Sequence, residues 1–231
     1  MNMADTIVPV ITIDGPSGTG KGTLAHRLAA TLGWHFLDSG ALYRIVAIGA
    51  ENAGISFENE QKVSEFGASM KVEFSRLFPG SIELEGRELS HQVRLEDSGA
   101  KASIVAAIPR LREVLLERQR QFRQMPGLIA DGRDMGTVVF PDSPCKIYLT
   151  ASADVRAERR YKQLINKGVD VSLRTLLGDI KARDERDSTR AVAPLKPASD
   201  AIIINTDLMN AEEVYASVMG HINKVFGTGA G

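Results

Sequence analysis

The stretch IDGPSGTGKGT, Ile13 to Thr23, concentrates residue types that can hold a polyphosphate. Gly15, Gly18 and Gly20 leave room for the backbone to curl around phosphate oxygens, with Pro16, Ser17 and Thr19 completing the curl. Lys21 follows as a compact positive charge for the β- and γ-phosphates, and a helix starting there adds its dipole. Gly22 stands where such loops commonly carry a magnesium-binding hydroxyl, which here comes one residue later, at Thr23. A glycine-rich turn without a ligand is the plain alternative, but strand, loop, lysine and helix signals occur together in the required order. An ATP-like donor implies Mg2+, because a transferring phosphoryl group needs its oxygens neutralised. Thr23 and Asp131, the latter ending LIADG, are the candidate metal-binding residues; Asp131 can equally cap its turn.

A loop that holds a donor does not name the acceptor. In RDERDSTR, Arg183, Arg186, Asp187 and Arg190 fall at i, i+3, i+4 and i+7, which on a helix is one face. Each like-charged pair at that spacing costs roughly 0.2–0.5 kcal/mol. A solvated charged face is the usual reason for such a run. Beside a phosphate loop a better reason exists, since transfer between two polyanions requires positive charge on both sides of the moving group. An enzyme holding an activated phosphate must also keep water out. The charged segment from about 152 to 197, interrupted by NKGVDVS, suits a mobile flap.

These residues need a frame. VPVITIDG, WHFLDSG, GLIADG, CKIYLT and AIIINT are short apolar runs without alternation, as expected of strands covered on both faces. Leu24, Leu28 and Leu32 predict a helix after the glycine loop, stopped by Gly33, and Asp38 or Ser39 can cap a second helix over ALYRIVAIGAENAG. Five strands alternating with helical segments imply an α/β protein with a doubly wound parallel sheet. Met70 to Ser90 breaks the rhythm: it alternates apolar and polar residues, with turn signals at Pro79-Gly80 and Glu85-Gly86, and predicts a small antiparallel insert. The expected division is core over 1–66, insert over 67–99, core over 100–151, helical lid over 152–197, and a last strand and helix over 198–231. The closing GTGAG reads as a loose tail.

Composition excludes several classes. With 231 residues, 43% of them hydrophobic, the chain can bury enough core to fold without disulfides or a structural metal. The single cysteine, Cys145, reads as a buried strand residue. Twenty-eight basic against 29 acidic residues give no excess positive charge of the kind a general nucleic-acid binder carries. No charged-then-apolar leader is seen, and no apolar run approaches the roughly 20 residues of a membrane span. A cytoplasmic protein with small-molecule substrates, and neither nucleic acid nor membrane as partner, is expected. Trp34, the methionines and the four histidines show no site-like clustering.

ITIDGPSGTGKGT, LDSGALYR, LIADGRDMGTVVFP and RDERDSTRAVAPL together resemble the bacterial cytidylate kinases, P-loop nucleoside monophosphate kinases, over nearly the whole chain. Gly22 followed by Thr23 is typical of monophosphate kinases. The resemblance implies a five-stranded parallel core, an acceptor-binding insert with a small antiparallel sheet, and a lid. It further implies that Asp134 and Ser103 accept from the cytosine amino group while Arg112 donates to the ring. Ser39, Arg44, Arg133 and Arg190 would hold the acceptor phosphate, and Arg183 and Asp187 the ribose hydroxyls. Arg186 would move with the lid toward the transferring phosphate, making Lys21, Arg133, Arg186 and Arg190 the catalytic set. Blander readings stand beside these: Ser39 as a helix cap, Arg44 as a solvated helix residue, Asp134 as a partner of Arg133 or a turn cap. Ser103 and Arg112 sit on KASIVAAIPRLREVL, whose apolar face packs in any case. The implied reaction is Mg-dependent transfer from ATP to CMP or dCMP by a monomer, giving CDP or dCDP and ADP. A kinase for adenylate or shikimate on the same scaffold is one competing reading. A nucleotide-dependent switch is another, though NTDL lacks the lysine of the Asn-Lys-x-Asp motif such switches usually carry.

Overall fold

The computed structural model describes residues 7–74, 82–93 and 95–227. Along the chain run β1 (Val10–Asp14), α1 (Lys21–Leu32), β2 (His35–Asp38), α2 (Ser39–Asn52) and α3 (Glu60–Ser69). Then come β3 (Val72–Phe74), β4 (Ile82–Leu84), β5 (Arg87–Glu88), α4 (Ser90–Val93), α5 (Glu96–Val105) and α6 (Pro109–Arg120). After β6 (Leu128–Gly132) and a π-helical turn (Met135–Val139) follow β7 (Cys145–Thr150), α7 (Ala153–Ile165), α8 (Leu173–Thr189), β8 (Ile202–Asn205) and α9 (Ala211–Phe226).

Two compact units result, one from Met1–Leu37, Arg120–Thr189 and Ala193–Gly231, the other from Asp38–Gln119 and Arg190–Val192. The first carries an all-parallel sheet in the order β2-β6-β1-β7-β8, built from the five apolar runs. The central strand β1 is buried at every position and pairs with β6 on one side and β7 on the other. This explains its unbroken apolar run, since neither face meets water. Leu24, Leu28 and Leu32 of α1 pack with Ile11, Ile13, Ile147 and Leu149 of the sheet and Val214, Val218 and Ile222 of α9. Burying each leucine contributes about 1.5–3 kcal/mol. Gly33 closes α1 in the left-handed region at φ 64°. Cys145 is fully buried in β7, and burial pushes its thiol up to about 12.

The second unit packs α2 on α5 around Val46, Leu111 and Leu115. Asp38 caps α2 by accepting from the Ala41 amide at 3.0 Å, while Ser39 is the first helical residue. The small antiparallel sheet has the order β3-β4-β5. Its Glu85-Gly86 turn has φ of 50° and 75°; the Pro79-Gly80 signal lies outside the described residues, as do the last four residues of the tail. KASIVAAIPRLREVL divides between α5 and α6, with Pro109 starting the second helix. Proline's missing N–H costs nothing at a first helical position. The predicted insert, 67–99, forms part of this larger unit.

Candidate nucleotide site

The glycine loop leaves the carboxyl end of β1, the middle of the sheet, where ligands of open α/β sheets bind. Gly15 has φ 142°, and a β carbon there would lie 2.0 Å from the Leu149 carbonyl oxygen, so only glycine fits. Gly20 precedes α1 at φ 93°, and the first turn of α1 has neither an acidic residue nor a side-chain cap. Its orphan N–H groups and the helix dipole therefore face the loop uncompensated, the condition for anion binding.

Lys21 is almost completely buried at the start of α1. Its Nζ donates to the Pro16 carbonyl at 2.7 Å and lies 3.5 Å from Thr19 Oγ1, and Thr19 Oγ1 itself donates to Pro16 O. The ammonium is thus folded into its own loop. Burial, reinforced by repulsion from Arg133 and Arg183, pushes it down to about 7, although Asp131 and Asp14 oppose the shift.

The end of β6 and helix α8 supply further charge within the same unit. Arg133 Nε donates to Asp187 Oδ2 at 2.9 Å and its Nη1 to Gly132 O at 3.1 Å. Burial opposes the Arg133 charge, but attraction to Asp187 and Asp131 outweighs it and holds the guanidinium above its ordinary value. Arg183 Nη1 reaches Ser17 Oγ at 3.3 Å and its Nε stands 4.0 Å from Asp187 Oδ2. Arg186 is exposed. Arg190 does not share this helical face: α8 ends at Thr189, where the Ser188 and Thr189 hydroxyls both donate to Glu185 O. The Leu195 amide then donates to Asp187 O at 2.7 Å, turning the chain away from the helix. The predicted crowd of three arginines on one helix is therefore two on α8 and one beyond it.

Asp131 occupies the fourth position of β6, and its Oδ2 lies 3.6 Å from where a β carbon on Gly22 would stand. The Thr23 residue is exposed in the first turn of α1. Among the described residues no three His, Cys, Asp or Glu side chains form a metal cluster. Magnesium, which keeps several waters and takes most of its oxygens from phosphates, needs only one or two such donors, and Asp131, beside the first turn of α1, is one that fits it. Asp134 is buried and starts the π-helical turn without a side-chain capping bond.

In the second unit, Ser103 is buried on α5 and Arg112 on α6. Arg112 Nη1 donates to Ala106 O at 3.3 Å, with the guanidinium 5.6 Å from the Tyr43 ring centre. Ser39 is buried on α2, and Arg44, half-buried on the same helix, has a buried Nε without a hydrogen-bond partner among the described residues. A buried donor left unsatisfied is costly, and a bound anion would relieve it. The family-implied residues thus fall in two groups: Lys21, Arg133, Asp134, Arg183, Arg186 and Asp187 in the first unit, and Ser39, Arg44, Ser103, Arg112 and Arg190 in the second.

Two features escaped the sequence reading. Arg156 on α7, 3% exposed, donates from Nε to Ala151 O at 3.0 Å and from Nη1 to Ser17 O at 3.1 Å, and grips Asp184 of α8 with both terminal nitrogens at 3.0 and 2.5 Å. It lies directly under Gly18, whose hypothetical β carbon would be 3.2 Å from Arg156 Cβ. Within a charged helix nothing in the spacing singles it out. Asp14, at the end of β1, is the second; a carboxylate closing an apolar strand was the available signal. Burial pushes it up to about 7, although the Gly136 and Met135 amides that bind it pull the other way.

A family model described as cytidylate kinase matches residues 11–224. A cytidylate kinase from Pseudomonas putida is 54% identical over 221 residues, 94% of this chain and 97% of that protein. Another, from P. putida strain W619, is 58% identical over 209 residues, 89% and 92% of the two chains. A solved shikimate kinase from Bacteroides thetaiotaomicron covers 95% of this chain and 99% of its own at 15% identity and TM-score 0.45.

Proposed function

The chain belongs to the cytidylate kinase family, and from that premise we propose that it transfers the γ-phosphoryl group of ATP to CMP or dCMP, giving CDP or dCDP and ADP. The observation that carries the reading is the buried Lys21, set in a glycine loop whose helix start is uncompensated, with Arg133 and Arg183 in the same electrostatic neighbourhood. That helix start carries no acidic residue, and a triphosphate supplies the negative charge there.

Chemically the acceptor needs no general base, because a nucleoside monophosphate is already an anion at neutral pH. The work left to the protein is positioning and charge neutralisation. Lys21 leaves the Pro16 carbonyl for the β- and γ-phosphate oxygens, where its charged form is favoured. Arg133, Arg186 and Arg190 balance the transferring group, and Ser39, Arg44, Arg133 and Arg190 hold the acceptor phosphate. Arg183 and Asp187 take the ribose hydroxyls. For the ribose to use it, Asp187 must share or leave its pair with Arg133. Thr23 and Asp131 would hold Mg2+, which neutralises phosphate oxygens when bound.

Cytosine recognition follows from hydrogen-bond polarity. Asp134 and Ser103 accept from the 4-amino group and Arg112 donates to the ring acceptors. Uracil reverses the pattern at positions 3 and 4, and each mismatched buried group costs about 1–3 kcal/mol. The insert over 67–99 as acceptor-binding part, the segment 152–197 as lid, and a cytoplasmic monomer as working form belong to the same proposal.

Lys21→Ala tests the transfer role. Turnover should fall by orders of magnitude while CMP affinity, measured by calorimetry, stays within a fewfold. Near-normal turnover in that variant defeats the assignment.

A further inference from the structure

The π-helical turn Met135–Val139 follows directly on Arg133 and Asp134. Its own carbonyl acceptors begin with Asp134 O, which takes the Val138 and Val139 amides at 2.9 and 3.2 Å, and Met135 O, which takes the Phe140 amide at 2.7 Å. The Met135 and Gly136 amides are left without acceptors inside the turn, as at any helix start. An aspartate at the preceding position ordinarily caps such donors with its own side chain. Asp134 makes no such bond. The two amides donate instead to Asp14, from 121 and 122 residues away: Met135 N to Oδ1 and Gly136 N to Oδ2, both at 2.8 Å. Asp14 is 5% exposed at the end of the central strand, and Gly136 presses against Thr12 of the same strand, a β carbon on it falling 2.9 Å from Thr12 Oγ1. The turn is therefore fastened to β1 by a buried carboxylate and a close backbone approach.

We infer that Asp14 is a positioning residue for the acceptor: by capping the Met135–Val139 turn it sets the backbone that carries Arg133 and Asp134, and it takes the capping duty that an aspartate at position 134 would ordinarily have. The inference rests on the proposed reading of cytosine by Asp134. A carboxylate buried only to stabilise the fold would act on donor and acceptor alike. One acting through Asp134 acts on the acceptor side.

Asp14→Asn keeps the shape and leaves one acceptor oxygen for two amides. Its KM for CMP should rise roughly tenfold and the CMP over UMP ratio of kcat/KM should fall by a similar factor, as expected from losing one charge-assisted bond. The KM for ATP should stay within about twofold, although Asp14 adjoins the glycine loop. In an Asp134→Ala background the same change should leave the CMP over UMP ratio where Asp134→Ala alone puts it, because coupled residues are not additive. Equal effects on both substrates, no effect on either, or an independent further loss of selectivity in the double variant overturn the inference. If Asp14→Asn does not fold, Gly136→Ala displaces the same turn with Asp14 intact. It must then raise the KM for CMP and spare that for ATP, and an equal change in both is contrary. A wild-type enzyme without CMP preference, or an Asp134→Ala variant with unchanged selectivity, overturns the base reading and this inference together. Normal behaviour of both with an acceptor-silent Asp14→Asn overturns this inference alone.

Discussion

Replacing Arg156 with alanine should weaken the fold and the donor site at once. The side chain makes four hydrogen bonds, to Ala151 O, Ser17 O and both oxygens of Asp184, and is 3% exposed, whereas Asp184 is 29% exposed. Removing one partner of a buried ion pair costs about 3–5 kcal/mol, because the survivor is left desolvated and alone. Asp184 can recover some water at its exposed edge, so the lower end, about 3 kcal/mol, applies. In a chain of this size each kcal/mol moves the melting temperature by roughly 2–4 °C, giving a fall of about 6–12 °C. The Ser17 carbonyl loses its donor and the glycine loop loses the methylenes under Gly18, so the KM for ATP should rise more than that for CMP. Arg156→Lys should recover little, since an ammonium cannot make the two-pronged contact with Asp184. Calorimetric melting and steady-state kinetics on the three proteins give the answer. A melting temperature within about 1 °C of wild type, with an unchanged KM for ATP, refutes the reasoning.

Nucleotide binding should take up protons at pH 8. Lys21, lowered to about 7, is largely neutral there, and a polyphosphate restores its charge, so titrations in buffers of different ionisation enthalpy should report net proton uptake on ATP binding; buffer-independent heats contradict this. For stability the sign follows from a folded value below the ordinary 10.5: the contribution is present above 10.5 and lost as pH falls toward 7. Melting curves from pH 7 to 10.5 should show this support in wild type and its absence in Lys21→Ala. Asp134→Ala should narrow the CMP over UMP preference about 5- to 150-fold, one buried mismatch being worth about 1–3 kcal/mol; an unchanged ratio of kcat/KM places base reading elsewhere.

All five sheet strands were legible in the sequence from short, largely apolar runs, and β1, buried at every position, shows why the pattern does not alternate there; the expectation of cover on both faces fails at the edge strand β8, where Ile203 is 61% exposed. Gly33 and Asp38 were legible as helix punctuation for local reasons: a left-handed φ and a side chain bonding three residues ahead. The glycine loop was legible too, although the tightest constraint on it, the Leu149 carbonyl against Gly15, comes from a strand residue 134 positions downstream. What stayed hidden depends on distant partners. Asp14 has no local reason to be buried until Met135 and Gly136 are brought to it. Arg156 looks like any arginine of a charged helix until Asp184 and Ser17 close around it. Arg190 was read onto the helical face because the period continues through it, but hydroxyls at Ser188 and Thr189 bond back to Glu185 and the helix stops.

The central claim is that a triphosphate gripped at Lys21 gives up its terminal phosphoryl group to a cytosine-bearing monophosphate. Release of ADP from MgATP, measured in parallel with CMP, dCMP, UMP, AMP, GMP and shikimate, tests it most directly. Rapid release with CMP or dCMP, at least tenfold slower release with UMP and little with the rest is the predicted result. A comparable rate with AMP or shikimate, or equal release without any acceptor, contradicts it.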